Sequence, residues 1–279
     1  MLVQKLDIIL HSVRQLRPMP SSVTRILKEI DGEQTTAVKI SNYIGLDQAL
    51  AAMVLQMSNS VAMGYARDCT TIQEAVMRIG FKRLKTILLA SSAAGPLMNR
   101  LNGYRLGAGE LWRHSLATAV TAEWLTRRLG YSQTEEAYAS GLLHDIGKLL
   151  LDQYVVSDYS QMEQFIQQYR MPLWQVEEKL LGIDHARVGG LMAEKWQFPI
   201  ELVDSIRCHH VPSLARSNQK LPAIINLANA IASRIIHMPN GLFSNEIHSE
   251  VFNILPIRES DADLLQAAAE KELELKSGS

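Results

Sequence analysis

The segment GLLHDIGKLLL, residues 141–151, places the strongest constraint on the fold of this chain. It is mostly aliphatic and therefore belongs in a core, yet it contains His144, Asp145 and Lys148. Burying such groups is unfavourable unless they are paired or bound to a metal. The rest of the chain has to surround them with compensating side chains. Part of the compensation can be local, because Lys148 follows Asp145 by three residues and can pair with it on a helix.

Helix signals run along most of the chain. Thr71 and Glu74, and again Ser132 and Glu135, have the spacing of a capping box. Residues 110–130 carry apolar side chains at intervals of three and four, as on one face of a helix. No segment of strand length alternates convincingly between apolar and polar residues. The predicted fold class is all-α, with an N-terminal helical bundle packed against a C-terminal helical domain.

A Gly-rich stretch, NRLNGYRLGAG at residues 99–109, interrupts the helical pattern and predicts a domain boundary. We expect an N-terminal bundle over residues 1–105 and a second helical domain over 106–240. Residues 241–279 are predicted to form a C-terminal helical extension.

The composition predicts a globular cytoplasmic protein. The formal net charge of −1 argues against nucleic acid or an anionic membrane as a partner, and the basic run at 81–85 predicts a solvated helix face. Two cysteines, Cys69 and Cys208, make no disulfide framework and fit a reducing compartment. Residues 1–17 predict an amphipathic helix rather than a signal peptide, and the most apolar stretches are too short or too polar to span a bilayer.

Five of the eight histidines lie within or beside predicted helices in patterns that suggest ligands: His114, His144, His185, His209 and His210. An interior helix residue points in one direction, so a metal cage requires several helices to converge. For each of the five taken singly, a hydrogen-bonded core histidine remains an alternative. The other three, His11, His237 and His248, are predicted to be surface or packing residues.

Neighbouring candidates raise questions of geometry. His144 and Asp145 are about 100° apart on a helix, so either one side chain bends toward a shared ion or Asp145 reaches between two ions with its two oxygens. His209 and His210 precede Pro212 and lie near a helix end, where both rings can turn inward.

Several motifs give the chain a family resemblance. The segments HSLATA, GLLHDIGK, DHARVGG, CHH and INLANAIA follow the order seen in the HD superfamily of metal-dependent phosphohydrolases. The first half, with RPMPSSVTRILKEI, ISNYIGLDQALAAMVLQMSNSVAMG and TIQEAVMRIGFKRLKTILL, resembles the N-terminal bundle of HDOD proteins, signalling relatives of the HD enzymes. The resemblance covers about residues 15–235. It implies a helical bundle followed by an HD-type helical domain, and a family in which many bacterial members act as regulatory or scaffolding modules.

The resemblance also implies a set of ligands. His114, His144 and Asp145 would bind a first metal, and Asp145 would bridge to a second metal bound by His185, His209 and His210. Lys148 matches a lysine that relatives direct at a substrate phosphate. Asn229 stands where HD enzymes have a last aspartate, so it would bring a neutral ligand. The acidic residue and the Gly-Tyr-Pro motif of HD-GYP relatives do not follow the His-His pair, so hydrolysis of cyclic-di-GMP is not expected.

The ligand types constrain the metal. Imidazole-rich ligation suits iron, which we expect first, or manganese, nickel or zinc, and does not suit calcium or magnesium alone. Two divalent ions in this set would leave a charge of about +3 in a site of low dielectric constant. We therefore expect either one well-occupied ion or two ions with a captured anion. Cys208, beside His209, is expected to pack rather than to add a ligand.

Three functions follow from these residues. The preferred one is a regulatory module that binds a signalling protein and carries a His/Asp metal site. The alternative is a phosphohydrolase or phosphodiesterase in which a metal-bound hydroxide attacks a phosphate-containing small molecule, with Asp145 and Lys148 as catalytic residues. A third is an oxidative di-iron centre, which only the His-rich ligation favours.

Overall fold

The computed structural model describes residues 2–59, 67, 69–236 and 246–277. The predicted all-α fold is confirmed: no strand forms in these ranges, and the antiparallel pairing found there is an isolated bridge between Leu101 and Leu106. The helices are α1 (Leu2–Gln15), α2 (Ser21–Ile30), α3 (Ala37–Gly45), α4 (Gln48–Ser58), α5 (Ile72–Ile79), α6 (Phe81–Leu97), α7 (Glu110–Arg128), α8 (Thr134–Leu143), α9 (Gly147–Val155), α10 (Tyr159–Tyr169), α11 (Leu173–Leu181), α12 (His185–Lys195), α13 (Ile200–Cys208), α14 (Lys220–Ile236), α15 (Val251–Ile254) and α16 (Ala262–Ser277).

None of the helices in the described ranges combines the length and the apolarity needed to cross a bilayer.

The chain divides into two compact units, residues 18–92 with 275–279, and residues 1–17 with 93–274. The division therefore falls within α6 rather than at the expected residue 105, and α1 belongs to the larger unit. Contacts of α1 and of Arg17, which follows it, explain this assignment. The Ser12 hydroxyl lies 2.7 Å from the Tyr154 hydroxyl, and the Trp196 indole donates to the carbonyl of Arg17 at 3.1 Å.

The smaller unit buries one apolar face of each of its helices, including Ile26, Ile40 and Val76. Thr71 caps α5 as predicted, because its hydroxyl accepts the N–H of Glu74 at 3.2 Å. The Glu74 carboxylate turns instead to Arg78, at 2.7 Å. The basic run at 81–85 lies at the start of α6.

The predicted capping box at Ser132 is wrong. Helix α8 begins at Thr134, and its N-cap residue Gln133 makes no side-chain cap hydrogen bond. Glu135 is therefore one position too early in the helix to close a box. It lies with Glu136 in the first turn, where the helix dipole favours negative charge.

The core of the larger unit lies where α7, α8 and α14 pack together with the C-terminal α15 and α16. It contains Leu125, Ala137, Leu227, Val251 and Leu265, all buried. The predicted C-terminal extension thus contributes apolar side chains to this core.

The expected linker at 99–109 is folded within the larger unit. Leu101, Tyr104 and Leu106 are buried. The Asp152 carboxylate accepts the N–H groups of Gly103, at 2.8 Å, and Tyr104, at 3.2 Å. Glycine permits this approach, because a Cβ on Gly103 would lie 2.0 Å from the carbonyl oxygen of Asp152.

Candidate metal centre

Six of the seven predicted ligands come from four places in the larger unit. His114 is the fifth residue of α7, and His185 is the first residue of α12, after its N-cap Asp184. His209 and His210 directly follow α13, near a helix end as predicted. His144 and Asp145 occupy the turn between α8 and α9. All six of these side chains belong to residues that are between 0 and 7% exposed.

The turn at 144–146 is a difference from the continuous helix predicted over this segment. Close packing on the neighbouring helices accompanies it: a Cβ on Gly141 would lie 2.8 Å from the Cα of Ala119 in α7, and a Cβ on Gly147 would lie 1.9 Å from the carbonyl oxygen of His185. With α8 against α7 and α9 against the start of α12, the turn between them faces both histidine-bearing helices.

The side chains form two groups of possible metal ligands. His114, His144 and Asp145 form the first group, and His185, His209 and His210 form the second. Within each group the ligand atoms lie within 4.8 Å of one another.

Asp145 directs one carboxylate oxygen to each group. Its Oδ2 lies 3.3 Å from His144 Nε2 and 3.7 Å from His114 Nε2. Its Oδ1 lies 3.1 Å from His185 Nε2. A carboxylate that bridges two ions requires this arrangement. It corresponds to the expectation that Asp145 reaches between two ions with its two oxygens.

Two imidazoles are held with a nitrogen lone pair directed into the centre. His144 Nδ1 donates to the carbonyl of Gly141 at 2.7 Å, and His209 Nδ1 donates to the carbonyl of Ile206 at 2.8 Å. Because a carbonyl only accepts, each of the two rings carries its proton on Nδ1, and its Nε2 keeps a lone pair. In the described part of the chain, neither Nε2 has a hydrogen-bond partner.

Such buried lone pairs are unfavourable without a cation. His144 Nε2 even faces an oxygen of Asp145, so two electron-rich atoms meet at 3.3 Å. A divalent metal ion between them would satisfy both, and the residues present therefore fit a metal.

Burial keeps most of these rings neutral. It lowers the pKa of His114, His209 and His210 well below the ordinary value, because the charged form loses its hydration. Burial alone would also lower the pKa of His185, but the Glu177 and Asp145 carboxylates raise it to about 9.

Asp145 shows the opposite balance. Burial would raise the pKa of this carboxyl, but the neighbouring His144, Lys148 and His185 side chains lower it well below its ordinary value. The group stays ionised and can act as an anionic ligand.

Lys148, three residues after Asp145 in the sequence, also lies beside Asp145 in the folded centre. Its Nζ donates to Asp145 Oδ2 at 2.7 Å, and the residue is 2% exposed. This is the helix ion pair that the spacing allows, and it uses the oxygen that faces the first group.

Asn229, the substitute for the last family ligand, lies at the first group. It is buried in α14, where it acts on the pKa of His114, and its Oδ1 accepts the Ser233 hydroxyl at 3.4 Å. Its neutral amide adds no charge to the centre.

Sequence reasoning missed two residues of this centre, Glu177 and Tyr104. Glu177 Oε2 accepts both the backbone N–H of His185, at 2.8 Å, and its Nδ1–H, at 2.6 Å. The hydroxyl of Tyr104 donates to Glu177 Oε1 at 2.7 Å. A carboxylate behind a ligating histidine fixes the tautomer and raises the basicity of the ring.

A signal for Glu177 was present in the sequence. In α11 it stands four residues after Leu173 and four before Leu181, both buried, so it lies on the apolar face. A carboxylate in that position requires a buried partner. Tyr104 had no comparable signal, because it lies in the stretch predicted to be a linker.

An aromatic side chain covers the second group. The Trp174 indole is stacked on the His210 ring, with centroids 5.6 Å apart and planes 14° apart. Trp174 is partly exposed and lines a surface pocket of about 370 Å³ with Met171 and Lys179, among others.

None of the described residues that were expected not to be ligands belongs to the two groups. His11 is exposed, and His248 is partly exposed with its Nδ1 3.6 Å from Glu250 Oε2. His237 lies outside the described residues. Cys208 is buried, and burial raises the pKa of its thiol to about 11. That these residues bind a metal remains a prediction.

The all-helical fold of the described residues and the buried His/Asp centre are features of proteins built like the HD enzymes. The HDOD domain family model matches residues 16–212, and the chain belongs to the HDOD family.

Proteins similar to this chain include two solved structures and one curated sequence. A protein of Shewanella amazonensis SB2B, provisionally named a phosphohydrolase, is 26% identical, with a TM-score of 0.71 and coverage of 96% of this chain and 97% of its own. An HDOD domain protein with unknown function from Geobacter sulfurreducens is 21% identical and has the same fold, with a TM-score of 0.73 and coverage of 99% and 97%. An uncharacterized protein of Treponema pallidum is 25% identical over 213 residues, 76% of this chain but 41% of the Treponema protein. The chain thus spans less than half the length of the curated relatives it matches.

Proposed function

We propose that this chain is a regulatory HDOD module of bacterial signal transduction that holds a divalent metal ion in its His/Asp centre and binds another signalling protein. The observation that carries the proposal is Asp145, whose two oxygens face two separate buried groups of histidines. Five histidines and one carboxylate with this geometry have little purpose without a cation.

Burial of the centre favours a regulatory role. Its ligands are drawn from residues 114 to 210 and are at most 7% exposed. An ion bound across these helices would stabilise their packing, and that stabilisation would be lost when the ion leaves. Metal occupancy would therefore change the surface that the helices offer to a partner.

The metal follows from the ligand types. Imidazole nitrogen with one carboxylate suits iron first, and manganese, nickel or zinc as alternatives. The Glu177 carboxylate behind His185 strengthens the case for a transition metal, because it raises the donor strength of that ring.

The first experiment is elemental analysis of the full chain, purified without a metal-binding tag. We expect one or two equivalents of metal per chain, lost in the double variant His144→Ala/Asp145→Ala. His11→Ala removes an exposed histidine outside the centre and should keep the metal. A wild-type protein without metal, even after iron or manganese is added, would refute the proposal.

The partner is tested with the same proteins. Capture from the native cell should yield one specific signalling protein with the metal-loaded wild type. The double variant should lose or weaken that capture, and His11→Ala should not. Equal capture by all three proteins would contradict a metal-dependent partner surface.

A second candidate is a metal-dependent phosphohydrolase acting on a small phosphate ester. The Lys148 ammonium, 2.7 Å from the bridging carboxylate, favours it, because a cation there can bind a phosphate oxygen. The provisional name of the Shewanella relative also supports it. A bound ion would supply Lewis-acid activation of water, while Asp145 would hold the ion positions and Lys148 would orient the ester.

A screen of phosphate esters with wild type and Asp145→Ala separates the two candidates. Turnover that disappears in the variant would support the enzyme. Bound metal and a captured partner without turnover would support the regulatory module. The proposal places the protein in the cytoplasm and includes a phosphate-containing ligand, but neither a nucleic acid nor a membrane.

A further inference from the structure

The two ligand groups differ in the charge that stands beside them. In the first group, Asp145 Oδ2 accepts from Lys148 Nζ at 2.7 Å, while His144 Nε2 and His114 Nε2 point to the same oxygen from 3.3 and 3.7 Å. The ammonium therefore already occupies a cation position at the oxygen that this group offers to a metal.

A divalent ion and an ammonium compete for this oxygen. Both are positive, and at separations of a few ångströms in a buried site they repel strongly. Lys148 is 2% exposed, so water screens little of that repulsion. The first group can hold an ion only when Lys148 leaves Asp145.

The second group has the opposite environment. Its oxygen, Asp145 Oδ1, faces His185 Nε2 at 3.1 Å. Behind that ring stands the Glu177 carboxylate, which accepts the His185 Nδ1–H at 2.6 Å. Glu177 thus places a negative charge behind the second group, whereas the Lys148 ammonium binds the oxygen of the first group directly.

We propose that the centre loads in order, with the second group holding the first ion and Lys148 acting as a built-in cation that closes the first group. The inference rests on the proposed metal centre and adds its regulation. A buried ammonium that leaves its carboxylate needs another anion, because it is strongly destabilised without one. An oxyanion that binds Lys148 would therefore open the first group to a second ion.

The experiment is a Mn²⁺ titration of metal-free full-length protein, with and without inorganic phosphate, in which free Mn²⁺ is followed by electron paramagnetic resonance. Without phosphate we expect one tightly bound Mn²⁺ per chain. With phosphate we expect a second Mn²⁺, bound at least about tenfold more tightly than without it. This comparison uses the wild-type protein and needs no variant.

A variant isolates the role of the ammonium. Lys148→Met keeps the length of the side chain and removes its charge, so it should bind two Mn²⁺ without phosphate. Lys220→Met removes the same charge from an exposed position at the start of α14 and should behave as wild type. Thermal unfolding of both variants checks that they are folded.

Two ions bound with similar affinity by wild type without phosphate would overturn the inference and leave the metal centre intact. So would a folded Lys148→Met protein that still binds one. Failure of wild type to bind any Mn²⁺, iron or zinc would instead refute the proposed function, and this inference with it.

Discussion

Removing Glu177 should destabilise the larger unit, because three buried hydrogen-bond donors would lose their acceptor. In Glu177→Ala the Tyr104 hydroxyl, the His185 backbone N–H and the His185 Nδ1–H all lose their acceptor. Each unpaired buried donor costs about 1–3 kcal/mol, so the expected loss in the free energy of unfolding is about 4 kcal/mol. Removal of the side-chain carbons adds a cavity term in the same direction.

Glu177→Gln is the matched control. Its carbonyl oxygen can accept both donors of His185, while its amide N–H donates to the Tyr104 hydroxyl oxygen. The three contacts survive without the charge, but the Tyr104 bond is reversed and its hydroxyl proton loses this acceptor, so the expected loss is about 1–2 kcal/mol.

Urea unfolding in the presence of EDTA, followed by tryptophan fluorescence, measures both values. All four tryptophans, Trp112, Trp124, Trp174 and Trp196, belong to the larger unit, so the signal reports on the unit that contains Glu177. The reasoning is refuted if Glu177→Ala loses less than about 1 kcal/mol, or if the alanine and glutamine variants lose the same amount at equal m-values.

Three further predictions follow from single features. Gly147→Ala should cost more than about 2 kcal/mol, because its Cβ would lie 1.9 Å from the His185 carbonyl, whereas Gly45→Ala meets only an ordinary contact at 3.7 Å and should change stability by less than about 0.5 kcal/mol, both measured by urea unfolding followed by far-ultraviolet circular dichroism, which reports on the helices of both units. Metal affinity at the second group should rise about tenfold per pH unit from pH 7 to about 9, because the pKa of His185 is raised to about 9 and the ion must displace that proton; a flat profile in competition titrations would contradict this. The raised pKa of Cys208, about 11, and its burial should keep it unmodified by iodoacetamide at pH 8 in the native protein, with labelling in urea observed by mass spectrometry.

Much of the fold and the identity of the ligands could be predicted from the sequence. Helical periodicity and capping are local properties, so the all-α class and the start of α5 at Thr71 follow from short stretches of residues. The same holds for His144, Asp145 and Lys148, whose presence in an aliphatic run signals compensation wherever that run folds.

Local patterns failed where close packing or chain direction decides the outcome. The break between α8 and α9 depends on how closely Gly147 approaches the carbonyl of His185, 38 positions later in the chain. The stretch at 99–109 has the composition of a linker, yet Asp152 accepts two of its backbone N–H groups and its Tyr104 is buried. A domain boundary drawn from glycine content does not account for such a distant partner.

By itself, the sequence determined which residue types are available for metal chemistry and that they lie within or beside helices, because these are properties of neighbouring positions. Only the tertiary structure decided how they are paired. It turned Asp145 so that each oxygen faces a different group, put Lys148 on the oxygen of one group, and brought Glu177 and Tyr104 to the other. Tyr104 and Glu177 are 73 residues apart. Contacts of that range come from the packing of whole helices, and no short pattern encodes them.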